Sequence, residues 1–267
     1  MTYHASLFGG IRIFDLAAQL NGIESLFNSE INEFCIKIGQ QYYSGHEIGS
    51  VETADFRRYK GMVKFLTGGF PCQDISRAKG ISKGIDGPRS GLWRHFYRAI
   101  QEIHPGYVIV ENSDQLTRKG IETILCDFAR IGYDAEWLPM AAAQFGARHI
   151  RRRTWILAYP QTFRRTQILS VVQGCGTKGI EKKKCPKCNT SSDHIQQFEQ
   201  SQGEPSIFGM DDGPLSRLHL PERIGALGNS IYWVIPYLII KTILEVEKMT
   251  DENYTQLLAA LEKSTKF

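Results

Sequence analysis

Two residues of this chain pair reactive chemistry with a placement that would let it be used. Cys72 lies in Gly68-Gly69-Phe70-Pro71-Cys72-Gln73, just after an apolar run, Met62 to Leu66, that reads as a strand. Glu111 follows a second such run, Tyr107 to Val110. A thiolate attacks electron-poor carbon, and a carboxyl group handles the proton that such an attack displaces. In an open doubly wound sheet, ligands bind at the carboxyl ends of the strands, so neighbouring strands would bring both groups to one edge. The glycines allow a tight turn and close approach to a ligand, and Pro71 sets the direction of the next residue. An isolated cysteine is ordinarily a small core residue, which is the reading for Cys35 and Cys126. The surroundings of Cys72 do not suit a core position.

The elements that must carry these residues alternate between strands and helices, as in a parallel α/β sheet. Strands are expected at Tyr3 to Phe8, Ile23 to Phe27 (ending near Glu30), Met62 to Leu66, Tyr107 to Val110 and Trp155 to Tyr159. Helices are expected at Phe14 to Leu20, Asn32 to Tyr42, Leu92 to Ile103 and Ile121 to Ile131, with Asn21-Gly22 stopping the first. After Pro160 the periodicity fades and Gln, Ser, Gly and Lys accumulate, which reads as an irregular inserted module over 161–213. Regularity returns at Pro214 to Leu227, followed by a long helix from Ile231 to Lys248 and a short amphipathic helix or tail over 251–267. The expected organisation is a catalytic α/β domain of 1–160 and 214–250 with the module inserted.

Five segments in order resemble the DNA cytosine-5 methyltransferase family: GGFPCQDIS, GIDGPRSGLW, VIVENS, FGARHIRRRTWILAYP and RIGALGNSI. The resemblance implies a class I methyltransferase-like Rossmann fold with a small target-recognition region. It also implies a reaction. Cytosine carbon 5 is a poor nucleophile until a thiolate, here Cys72, adds to carbon 6 and makes an enamine. Electron density then moves to ring nitrogen 3, which Glu111 would protonate or hydrogen-bond. Arg151 and Arg153 match paired arginines that stabilise the attacked base by charge-assisted hydrogen bonds. Pro71, Gln73, Ser76 and Asn112 would line the substrate side, with Asn112 holding the loop. The target atom is unreachable inside a duplex, so the base must be flipped out. Arg77, Lys79 and Lys83, in the glycine-rich stretch Ser76 to Arg89, suit a flap that contacts phosphates, as do Arg148 and Arg152.

The cofactor side departs from the family pattern. S-adenosylmethionine is expected to lie against a FxGxGG turn, and the chain reads LFGGIRIFDLA. Phe8 and Gly10 match, but Arg12 and Ile13 stand where glycines are expected. Glu30 matches the ribose-binding acid, Ser50 falls where an aspartate usually meets the adenine, and Asn229 matches near the C-terminus. Lys64 also stands where an acidic residue is common. An arginine here would crowd and repel a sulfonium cation. Three hypotheses follow: methyl transfer through a rebuilt turn; a deaminase that converts cytosine to uracil without S-adenosylmethionine, or a relative whose Arg12 pairs with an anionic cofactor; and a non-catalytic DNA-binding relative.

Within the module, Cys175, Cys185, Cys188 and His194 include one CPKC pair and would complete four ligands for a structural zinc. The run Lys182 to Lys184 suits phosphate contacts. The balance of 32 Lys plus Arg against 28 Asp plus Glu, a charge of +4, permits a nucleic-acid partner without demanding one. With 42% hydrophobic and 22% charged residues the chain is neither disordered nor low-complexity. The apolar run Ile231 to Ile243 is interrupted by Lys241 and is shorter than the roughly 18–20 residues of a membrane span. MTYHASLFGG lacks the features of a secretory signal, and the six irregularly spaced cysteines suggest reduced thiols. The expectation is a cytoplasmic, prokaryotic or phage-type monomer that acts on double-stranded DNA, with single-stranded DNA as the alternative.

Overall fold

The computed structural model describes residues 3–71, 91–118, 120–147, 149–163, 166–176 and 231–264. Among them, seven strands form one sheet in the order β3-β2-β1-β4-β5-β7-β6. The strands are β1 (Tyr3–Leu7), β2 (Glu24–Ser29), β3 (His46–Glu47), β4 (Val63–Gly68), β5 (Tyr107–Ser113), β6 (Tyr133–Ala141) and β7 (Arg152–Pro160). The first five pair in parallel; β7 runs antiparallel to both β5 and β6. The expected mostly parallel, doubly wound sheet is the one observed.

Alternation along the strands divides the core between the two faces. Leu66, Val108, Val110 and Ile156 face one way, onto Trp93, Phe96 and Ile100 of α3 (Leu92–Ile103) and Ile124 and Phe128 of α4 (Ile121–Arg130). Phe65, Ile109, Trp155 and Leu157 face the other way. They meet Phe14 and Ala17 of α1 (Ile13–Leu20), Ile168 and Val172 of α5 (Ile168–Gly176) and Ile239 and Ile243 of α6 (Val234–Val246). In α3 the buried positions 93, 96, 99, 100 and 103 follow the helical period and specify the face. In α2 (Glu33–Tyr42) the Asn32 side chain accepts from the Cys35 backbone N–H and caps the start. Gly22, at φ +73°, closes the turn after α1 as its sequence signal predicts. The last helix, α7, spans Asp251–Ser264.

Several expectations need correction. Strand β6 was not anticipated, because Asp134, Glu136 and Pro139 blur its alternation; it pairs on one side only, where a proline is tolerated. Strand β5 continues through Glu111 and Asn112 to Ser113, since Trp155, Thr154 and Arg153 of a lengthened β7 pair with those positions. Residues 168–176, expected to be irregular, form α5, with Ile168, Leu169, Val171 and Val172 buried. Cys35 is buried as expected, whereas Cys126 is exposed on α4. Among the described residues no helix is long and apolar enough to cross a membrane.

Candidate active site

Parallel pairing of β4 with β5 sets Gly68 beside Val110, so the chain leaving β4 passes directly over Glu111. Gly69 allows that approach: a Cβ there would lie 3.0 Å from Glu111 Oε2 and 3.3 Å from the Glu111 carbonyl. Asn112 is buried, donates from Nδ2 to the Phe70 carbonyl at 3.2 Å, and accepts from the Ser113 N–H at 2.8 Å. It ties the end of β5 to the segment two residues before Cys72. Pro71 is exposed. Cys72, Gln73, Ser76, the flap cations Arg77, Lys79 and Lys83, and Arg148 lie outside the described residues.

Glu111 is only 8% exposed. Arg153, brought beside it by the β5–β7 ladder, places Nε 3.0 Å from Glu111 Oε1. Burial pushes the Glu111 carboxyl above its ordinary pKa, and the charges of Arg153 and Arg151 oppose that rise only in part. Burial also lowers the pKa of Arg151, reinforced by the neighbouring Arg153. One carboxyl group between two guanidinium groups leaves an excess of positive charge, suited to stabilising negative charge that develops on a reactant. Arg152 is exposed, as are His149 and Ile150.

On the cofactor side, the turn after β1 is rebuilt around Arg12. Its backbone is left-handed, at φ +64°, which for a non-glycine residue costs on the order of 1–3 kcal/mol. The side chain neither faces solvent nor crowds the turn. It is 2% exposed and runs beneath the turn toward α2, where a Cβ on Gly39 would come within 2.3 Å of its Cδ. Nη2 donates to Asp15 Oδ1 at 2.6 Å and to the Ser44 carbonyl at 2.7 Å, and Nη1 donates to the Tyr43 carbonyl at 3.4 Å. The charge of Arg12 is thus paired with Asp15, and its volume is taken up beside Gly39. Ile13 simply begins α1.

Gly10, at φ +53°, borders open space, with nothing within 4 Å of where its Cβ would stand. Its N–H donates to Glu30 Oε2 at 2.7 Å, while Glu30 Oε1 accepts from the N–H groups of Ile31 and Asn32. Phe8, also left-handed at φ +54°, stacks on Phe96. Ser50, where an aspartate is usual in the family, accepts at its hydroxyl from the Glu52 N–H and caps a turn. The carboxylate at the end of β3 is Glu47, which accepts from Asn28 Nδ2 at 2.6 Å and from the Glu30 N–H at 2.9 Å. Burial raises the pKa of Glu47 against these hydrogen bonds. Lys64 lies at the far end of β4 and joins Glu247, which also accepts from the Tyr107 hydroxyl.

Beneath the turn lies a polar group that the sequence reading missed. Ser6 Oγ stands 2.8 Å from both Asp15 Oδ2 and Asn28 Oδ1. His4 bridges Ser25 and Thr67 and is held neutral, its pKa lowered by burial to about 4. The available signal was His4 and Ser6 inside a strand that must be buried on both faces. Of the expected zinc ligands, Cys175 sits at the end of helix α5, while Cys185, Cys188 and His194 lie outside the described residues, as does Asn229. Among the described residues no three potential metal ligands gather.

Comparison with known proteins places this geometry in context. The chain is 36% identical over 105 residues to the type II methyltransferase M.Sau3AI of Staphylococcus aureus, covering 36% of this chain and 26% of that protein. It is 32% identical over 133 residues to M.Eco47II of Escherichia coli, covering 48% and 32%. The chain thus spans less than half the length of these curated relatives. The crystal structure of the S. pombe Dnmt2 methyltransferase superimposes with a TM-score of 0.65 over 92% of this chain and 99% of that one, at 16% identity, a likeness of fold. The profile of the C-5 cytosine-specific DNA methylases matches residues 3–212. On the strength of that match, the chain belongs to the C-5 cytosine-specific DNA methylase family.

Proposed function

We propose that this protein modifies cytosine in DNA through a transient covalent bond from Cys72 to carbon 6, with methylation at carbon 5. The observation that carries the reading is Glu111, buried with a raised pKa, beside Arg151 and Arg153 and under the segment leading to Cys72. A carboxyl group whose pKa is raised can hydrogen-bond or share a proton with ring nitrogen 3 as the thiolate adds, and the two guanidinium groups stabilise the electron density gathered there. Burial at this depth excludes a base still stacked in a duplex, which supports base flipping. The exposed Arg152 suits a phosphate contact.

The residues present fit S-adenosylmethionine. Gly10 borders free space, Glu30 stands at its edge with lone pairs for ribose hydroxyls, and the Arg12 charge is already paired. Phe8, Gly10, Glu30 and Asn229 would hold the cofactor, which when bound supplies an electrophilic methyl group to carbon 5. Water takes the carbon 5 proton, the freed electron pair re-forms the 5,6 double bond and expels the Cys72 sulfur as thiolate, and ring nitrogen 3 returns its proton to Glu111. Arg12, paired with Asp15, does not by itself favour a cofactor-free deaminase.

The test is a duplex containing 5-fluorocytosine, incubated with the protein and S-adenosylmethionine. Fluorine cannot leave as a proton does, so wild type is expected to accumulate a covalent adduct and Cys72→Ser none. On unmodified duplex, mass analysis should show one added methyl group. Uracil in its place would identify deamination, and an unmodified protein at saturating DNA would overturn the covalent mechanism.

A further inference from the structure

We infer that Arg12 is a positioning residue for the cofactor site, stapling the turn after β1 to the segment that leads into β3. The inference rests on the S-adenosylmethionine reading and adds a role for a residue that departs from the family's glycine pattern.

The contacts form a closed circuit. Arg12 ties its own turn to the Tyr43 and Ser44 carbonyls, just past the end of α2, and its guanidinium lies over the Tyr43 ring, 5.5 Å from the centroid. Through Asp15 it reaches Ser6, whose hydroxyl stands 2.8 Å from Asn28 Oδ1 as well and gives its one proton to one of these two oxygens at a time. Asn28 holds Glu47, Glu47 accepts from the Glu30 N–H, and the Glu30 carboxylate accepts from Gly10, two residues before Arg12. Three chain segments, from β1, β2 and β3, are thereby registered around the open space beside Gly10.

The packing is specific to an arginine. Gly39 and Gly45 both face the side chain; a Cβ would lie 2.3 Å from Arg12 Cδ at the first and 3.3 Å from Nη2 at the second. Asp15 is fully buried and depends on Arg12 for its counter-charge. A planar guanidinium reaches the carboxylate and two carbonyls from two separate nitrogens, a spread that the single nitrogen of a lysine does not have. Arg12 thus does by tethering what a flexible glycine turn does by hugging the ligand, and a preformed site loses less ordering entropy on binding.

The test is calorimetric binding of S-adenosylhomocysteine to the full chain, with thermal unfolding and DNA affinity measured on the same samples. Arg12→Met is expected to weaken binding of S-adenosylhomocysteine about tenfold or more while DNA affinity stays unchanged, with Arg12→Lys intermediate. Arg12→Gly, which relieves the backbone strain and restores the family residue, should also weaken it. If Arg12→Met does not fold, Arg12→Lys carries the comparison. Equal or tighter binding by folded Arg12→Gly and Arg12→Lys would refute the tether and leave the methyl-transfer reading intact. Failure of wild type to take up S-adenosylhomocysteine would overturn both.

Discussion

Glu136 gives a stability prediction that can be worked through from the structure. It lies on β6 and accepts from the N–H groups of Ile168 at 2.9 Å and Leu169 at 3.2 Å, at the start of α5. Burial pushes its pKa from the ordinary 4.5 up to about 7, against the pull of those two hydrogen bonds. Burial raises the pKa of the neighbouring Tyr159, and Glu136 adds to that rise. Between pH 4.5 and 7 the folded state therefore holds a proton that the unfolded state has released, so stability falls as pH rises through that window. A shift from 4.5 to about 7 corresponds to roughly 3 kcal/mol, fully lost above the folded pKa. Glu136→Gln removes the titration and leaves only a pH-independent offset, because its amide nitrogen cannot accept the second N–H. Urea unfolding of both proteins from pH 4.5 to 8 should show wild type losing about 3 kcal/mol relative to the variant as pH rises. A difference constant to within about 0.5 kcal/mol across that range would refute the reasoning.

Two further outcomes follow from the catalytic edge. Gly69→Ala would drive a methyl group to 3.0 Å from Glu111 Oε2, so kcat should drop by about tenfold or more with little change in DNA affinity; unaltered steady-state rates would show that the carboxyl group has room to move. Arg153→Ala removes the guanidinium 3.0 Å from Glu111 Oε1, so it should move the Glu111 pKa further up, read from the acid limb of the pH–rate profile; an unmoved limb would show that Arg153 does not hold that pKa down.

How much of this was legible in the chain varied by element. Helix α3 was read to its observed ends, because five buried positions at helical spacing specify it locally. Strand β6 was missed, because its stability comes from pairing with β7 and its own residues alternate poorly. The site divided the same way. Glu111, Arg151 and Arg153 were readable from residue type and order, whereas Glu47 and the polar group under β1 were not. Their partners lie between about ten and sixty residues away, a separation no local pattern reports.

From the amino-acid order alone came the candidate reactive groups, the strands that end at them, and the family resemblance, since these depend on neighbours along the chain. Tertiary structure alone decided that Glu111 is buried with its pKa raised and that Arg12 turns beneath the turn to meet Asp15. An arginine in place of glycine reads as an obstruction in one dimension. Only the arrangement of Asp15, Gly39 and the Tyr43 and Ser44 carbonyls around it shows where its charge and volume go, because desolvation and charge pairing depend on what surrounds a group in space.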